Sequence, residues 1–202
     1  METKHIYIVL IRSSTVLSRI IAFFTKAKYT HASIALDREL RQMYSFGRKW
    51  SSNPFIGCFK REIIDNDLLY SNRNATPSVI IEIPVTRRQY KRINAKIKNF
   101  LKENERYRYN YFGLLANYFR LHYKNDDRFF CSEFVYHILH ESGVFDLGTP
   151  REFVRPQDFL RIKNKIIYEG DFKGYIRVWI KLRAVCELPV FLFIFSKIYD
   201  IV

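Results

Sequence analysis

Two short runs constrain this chain most. His5–Ile11, "HIYIVLI", and Pro77–Val85, "PSVIIEIPV", are rich in β-branched residues and too short and too apolar for a surface helix. Both read as buried strands, so whatever else the chain does, it builds a sheet that must be covered. Between them, residues 31–36 alternate. Ala32, Ile34 and Leu36 share one face, and His31, Ser33 and Ala35 share the other. Asp37–Glu39 offers a turn, and 40–46 can return as the partner strand of a hairpin. "SSNPFIGCFKREIIDN" reads as loop followed by a short strand.

Helical signals separate these strands. Val16, Ile20, Phe23 and Phe24 recur at helical spacing behind Ser13 and Ser14, either of which can cap. Thr86 and Gln89 fit a capping box, and Tyr90, Ile93, Ile97, Phe100 and Leu101 form one apolar stripe after it. The opposite face is basic: Arg87, Arg88, Lys91, Arg92, Lys96, Lys98 and Lys102. "NYFGLLANYF" is apolar and helical in character. A further helix is expected over Ser132–Ser142, with Phe134, Val135, Ile138, Leu139 and Ser142 buried and Gly143 closing it in a left-handed turn.

A chain of 202 residues suits one domain or one domain with an appendage, and it can bury a core without disulfides. Three cysteines, Cys58, Cys131 and Cys186, make neither a secreted disulfide framework nor a CxxC zinc site. Arg12 breaks the N-terminal apolar run and no cleavage pattern follows, so a cytoplasmic protein is expected. The excess of 34 Lys and Arg over 20 acidic residues points to polyanionic partners, or serves solubility alone. The run Leu188–Phe195 is apolar but falls well short of the ~20 residues that span a bilayer. It fits an interfacial segment, a buried strand or an oligomer contact.

One residue carries chemistry beyond packing. Cys131 stands where a helix N-terminus is expected, and free backbone N–H groups there favour a thiolate and can serve an oxyanion. A cysteine in that place is more often a small core residue, so a partner decides. Among five histidines, His5 opens a strand and His122 lies in a basic loop-like stretch. His137 and His140 lie further along the helix of Cys131. Those two and Cys131 do not complete a metal set. His31, on a strand among small apolar residues, is the best candidate base, because a polar group there needs a partner and a strand holds it rigidly.

Taken together, "YTHASIAL" and, roughly 100 residues later, "FFCSEFVYHIL" resemble the circularly permuted branch of the NlpC-type papain-like cysteine hydrolases, the group of YiiX-like proteins and lecithin–retinol acyltransferase. In that branch the histidine strand precedes the cysteine helix, as here. The resemblance spans about residues 5–175 and leaves 176–202 as a basic, apolar extension. It implies an α+β, papain-like fold, an antiparallel sheet packed against the cysteine-bearing helix. It also implies Cys131 as nucleophile and His31 as base, with no cofactor and no metal. YiiX-like members orient the histidine with a glutamate from the paired strand. The matching stretch here, "QMYSFG", holds no acid. Ser45 is the nearest positional match, with Gln42 and Tyr44 as alternatives. Tyr109, from "YRYNYFGLL", and Tyr44 are expected to line the substrate site.

The function that follows is a thiol hydrolase or acyltransferase acting on an amide, ester or thioester of a small acyl, lipid or peptide-like substrate. The competing expectation is a papain-like binding protein with a weak or idle site, associated with anionic membrane through the basic 86–104 helix and the tail. Nucleic-acid binding is not expected, since the aromatics of "RYRYNYFGLLANYFRLHYK" fall on a helix's apolar face and no recognised module is present.

Overall fold

The structure is a computed structural model that describes residues 3–12, 27–48, 57–63, 75–162 and 164–186. The helix expected over Val16–Phe24 and the run Leu188–Phe195 lie outside these residues, as does most of the loop before Gly57.

Five long strands form the frame: β1 (Thr3–Ile11), β2 (His31–Ala35), β3 (Met43–Arg48), β4 (Gly57–Glu62) and β5 (Pro77–Thr86). Helix α1 (Arg87–Lys102) follows β5 directly. Two-residue strands β6 (Arg108–Tyr109) and β7 (Arg128–Phe129) flank helix α2 (Tyr111–Tyr118), and helix α3 (Cys131–Glu141) follows β7. Short 3-10 turns at Arg151–Phe153 and Pro156–Arg161 lead to β8 (Lys165–Asp171) and helix α4 (Phe172–Cys186). The strands make one eight-stranded sheet in the order β7-β6-β4-β3-β2-β1-β5-β8. Every pairing is antiparallel except β6 with β7. The chain is therefore α+β, with a mainly antiparallel sheet.

β1 explains why its sequence shows no polar alternation: it sits in mid-sheet and is buried on both faces. Ile6, Ile8 and Leu10 meet α1 and α3, through Ile93, Ile97, Phe134, Val135, Ile138 and Leu139. Tyr7, Val9 and Ile11 meet α4, through Phe172 and Tyr175. Phe46, Phe59, Phe100 and Phe134 interlock in the first core at ring separations of 5.1–6.1 Å, tilted or edge-on as ring quadrupoles prefer. Gly57 is required where β4 approaches β6: a Cβ there would lie 2.5 Å from that of Tyr109.

The capping box of α1 forms as expected, Thr86 and Gln89 each holding the other's backbone N–H. Leu101 is a correction: it is exposed, because the stripe closes with Phe100 and Leu101 has turned past the core. The hairpin turn is also longer than Asp37–Glu39. The Asp37 carboxylate accepts the N–H groups of Arg41 and Gln42, so the return strand starts at Met43, opposite Ala35. α4 runs unbroken through residue 175, and Ile176 and Trp179 pack on the second core, so the packed part of the chain passes the boundary expected there.

Candidate active site

Four strand side chains converge on one buried point. His31 and Ser33, two apart on β2, lie on the same face of the strand. Ser45 comes from β3 and Glu62 from the last position of β4. The Glu62 carboxylate, 1 % exposed, lies 2.8 Å from His31 Nε2 and accepts a hydrogen bond from Ser33 at 2.9 Å. Ser45 also donates to it. The side chain of Cys131, the first residue of α3, lies close enough to the imidazole to raise the ring's pKa.

The electrostatics follow from this packing. Burial pushes the His31 pKa down, but the Glu62 charge, hydrogen bonds to Cys131 and Glu62, and the Cys131 charge outweigh it, and the net shift is upward. Burial pushes Glu62 up, yet the His31 charge and hydrogen bond, Lys60, and the Ser45 hydroxyl bring it well below the usual carboxylate range. Each partner favours the other's charged form. Across neutral pH His31 is thus an imidazolium paired with a carboxylate and near a sulfur, the charge state in which it can hold a thiol proton.

The expected site residues divide accordingly. His31 and Cys131 come together. Ser45 is at the site but one step removed, since its hydroxyl serves Glu62 and the ring nitrogen belongs to Glu62. Gln42 is exposed in the hairpin turn. Tyr44, expected as an orienter or a substrate contact, points to the opposite face from Ser45 and stacks on Phe59 in the hydrophobic core. Tyr109 is buried near Cys131, its ring tilted against that of Tyr111 at 4.6 Å. Burial and then the Cys131 charge raise its phenol well above the ordinary value, so it is a neutral hydroxyl beside the sulfur.

Glu62 is the residue that sequence reasoning missed. The acid was sought on the strand paired with β2, whereas it stands one strand further out. The available signal was the alternation Cys58, Lys60, Glu62, which puts an acid on one face of a short strand.

The helix carrying Cys131 is anchored by a second buried acid. Glu133, fully buried, accepts from the Phe130 backbone at 3.3 Å, from Asn110 at 3.3 Å and from Arg151 at 3.2 Å. Arg151 also holds Asn125 and Asp126 and covers the Phe129 ring at 4.7 Å. Burial raises Glu133 to about 7 against the opposing pull of Arg151 and the hydrogen bonds. Arg151→Met is therefore expected to cost roughly 2–4 kcal/mol at pH 8, where a buried carboxylate loses its partner. The cost shrinks at pH 5, where Glu133 takes up a proton, and urea unfolding at the two pH values measures the difference.

His137 is not part of the site. It packs on Phe129 and Phe100, and burial, Arg151 and Lys96 lower it to about 4. His122 pairs with Glu152 at 3.2 Å and His140 lies near Asp146 at 3.8 Å. No cluster of metal-ligating side chains occurs among the described residues. Two surface cavities, of about 570 and 440 Å³, are lined by neither Cys131 nor His31. No described helix is long and apolar enough to cross a membrane. The chain matches no family profile, no curated protein and no solved structure.

Proposed function

We propose that the protein is a cysteine hydrolase or acyltransferase of the permuted papain-like type, with Cys131 as nucleophile, His31 as its proton partner and Glu62 as the orienting acid. The observation that carries this reading is the His31 imidazole 2.8 Å from the buried Glu62 carboxylate and close enough to the Cys131 side chain to be raised by it. A histidine with a merely structural role needs one partner. Here the ring is coupled to both a nucleophile and an acid, and the nucleophile opens a helix.

In this mechanism the His31 imidazolium already carries the thiol proton, and the Cys131 thiolate attacks the carbonyl carbon of an amide, ester or thioester. The carbonyl π pair moves to oxygen, and unpaired backbone N–H groups of the first turn of α3 stabilise that charge. Collapse of the tetrahedral intermediate breaks the bond to the leaving group, which leaves with the proton from His31. Water, or a second acceptor, then releases the acyl group by the reverse sequence. Glu62 stays ionised throughout. It fixes the ring and stabilises the imidazolium. Tyr109, neutral and beside the sulfur, lines the acyl position.

The test is intact-mass spectrometry after brief exposure to p-nitrophenyl esters and acyl thioesters of increasing chain length. An adduct of one acyl group on the Cys131 peptide is expected, decaying faster when an amine acceptor is added if the protein is a transferase. Absence of any adduct across the series would favour the idle binding protein instead.

A further inference from the structure

α2 and the segment after it leave an apolar surface exposed among the described residues. Phe112 (72 % exposed), Leu115 (59 %) and Phe119 (61 %) fall at i, i+3 and i+7, on one side of the helix, while Gly113 and Asn117 face inward. Leu121, 61 % exposed, extends the patch, and Tyr123 folds back until its ring is 6.5 Å from that of Phe112. Single exposed hydrophobes are ordinary, but such a continuous set on one short segment marks a contact surface.

Cations border this patch. Arg120 takes a left-handed backbone conformation, φ 56°, where the chain leaves the helix. It lines the 440 Å³ cavity with Arg155, Arg161, His122 and Asn117. Arg155 is committed to Asn117, donating to its side chain at 3.1 Å and its carbonyl at 3.4 Å. Arg120 and Arg161 form no ion pair with a described residue, nor does Lys124 on the neighbouring cavity. The one carboxylate on the cavity wall, Asp158, is occupied by the Arg155 backbone N–H at 2.8 Å. Apolar side chains bordered by free guanidinium groups suit a surface that is hydrocarbon beneath and anionic on top.

We propose that α2 and residues 119–124 form a docking surface for an anionic lipid membrane, with Phe112, Leu115, Phe119 and Leu121 in the acyl layer and a headgroup phosphate between Arg120 and Arg161. The surface differs from the basic face of α1 and from the C-terminal run, and it does not depend on any chemistry at Cys131. A protein partner would need complementary acids and a matching apolar face. A bilayer containing acidic lipids supplies both without further specificity.

The experiment uses the full chain and vesicles of phosphatidylcholine with or without phosphatidylserine, read by co-sedimentation. The wild type is expected to bind phosphatidylserine vesicles, less as salt rises. Phe112→Ser with Phe119→Ser, and separately Arg120→Gln with Arg161→Gln, should each weaken partitioning on the order of tenfold or more. Leu115→Trp, which keeps an apolar side chain, should be quenched by brominated lipid beyond the signal of the native tryptophans. Absence of binding by the wild type overturns the proposal, as does equal binding by wild type and all variants. So does binding lost on removing residues 188–202 and kept by the patch variants, which would assign the contact to the tail. Binding of free phosphoserine without vesicle binding would show an anion site only and also overturn it.

Discussion

A Cys131→Ala protein is expected to form no acyl adduct and to lose on the order of 10⁵–10⁶-fold in ester turnover, while Cys58→Ala keeps both. The contrast isolates position from residue type. Cys58 lies within strand β4, opposite Gly47 and Arg108, rather than at the start of a helix. Cys131 starts a helix and meets an imidazole. Cys131→Ala removes one sulfur from a nearly buried place, so the fold should survive, and a near-native urea midpoint would show it. Retained adduct formation in Cys131→Ala would move the nucleophile elsewhere and end the proposed assignment.

Glu62→Gln is expected to lower the acylation rate on the order of 10²–10⁴-fold, because a neutral amide can hold the wrong tautomer and cannot stabilise an imidazolium. Its second signature is in titration. The Glu62 charge is the largest of the influences that raise His31, so its loss should move the ring's NMR titration downward. The sign for stability follows from both partners. His31, raised in the fold, contributes stability that is full below its ordinary 6.5 and lost as pH climbs through the raised value. Glu62, lowered in the fold, contributes stability that is full above its ordinary 4.5 and lost as pH falls through the lowered value. The difference in unfolding free energy between wild type and Glu62→Gln should thus be largest between pH 4.5 and 6.5 and should narrow in alkali. If His31 titrates identically in the two proteins, Glu62 is not its electrostatic partner. A mutant that unfolds differently but acylates normally would make the pair structural.

Ser45→Ala should be milder than Glu62→Gln. Its hydroxyl touches the carboxylate rather than the ring, and Ser33 still donates to Glu62. The resemblance led to an acid being expected on β3, where Ser45 stands; Glu62 on the next strand is the acid at the site, and the Ser45 hydroxyl supports its ionised form.

How far the chain could be read from its residues depended on range. α1 was legible to its capping box and α3 to its terminal glycine, since both signals lie within a few residues. The double burial of β1 was visible as missing alternation. Leu101 was misjudged because a stripe drawn on a helix does not show where the neighbouring sheet ends. Tyr44 and Ser45 are adjacent, and strand parity puts one in the core and the other at the site. Which of the two faces His31 depends on the register of β3 against β2, set here by a turn in which Asp37 ties up two more N–H groups than a tight hairpin would.

The sequence by itself determined the local pieces: strands that must be covered, a cysteine at a helix start, a histidine on a strand, and their order along the chain. Only the tertiary structure decided that Glu62, rather than any residue of the paired strand, meets the imidazole. Sheet order is a long-range property. β4 joins β3, β3 joins β2, and the side chains at their ends converge through twist and register that no local pattern encodes. The charges of the site have the same origin. A carboxylate that pairs with an imidazole inside a sheet loses water and gains a counter-charge at once, and both changes exist only after the strands have assembled.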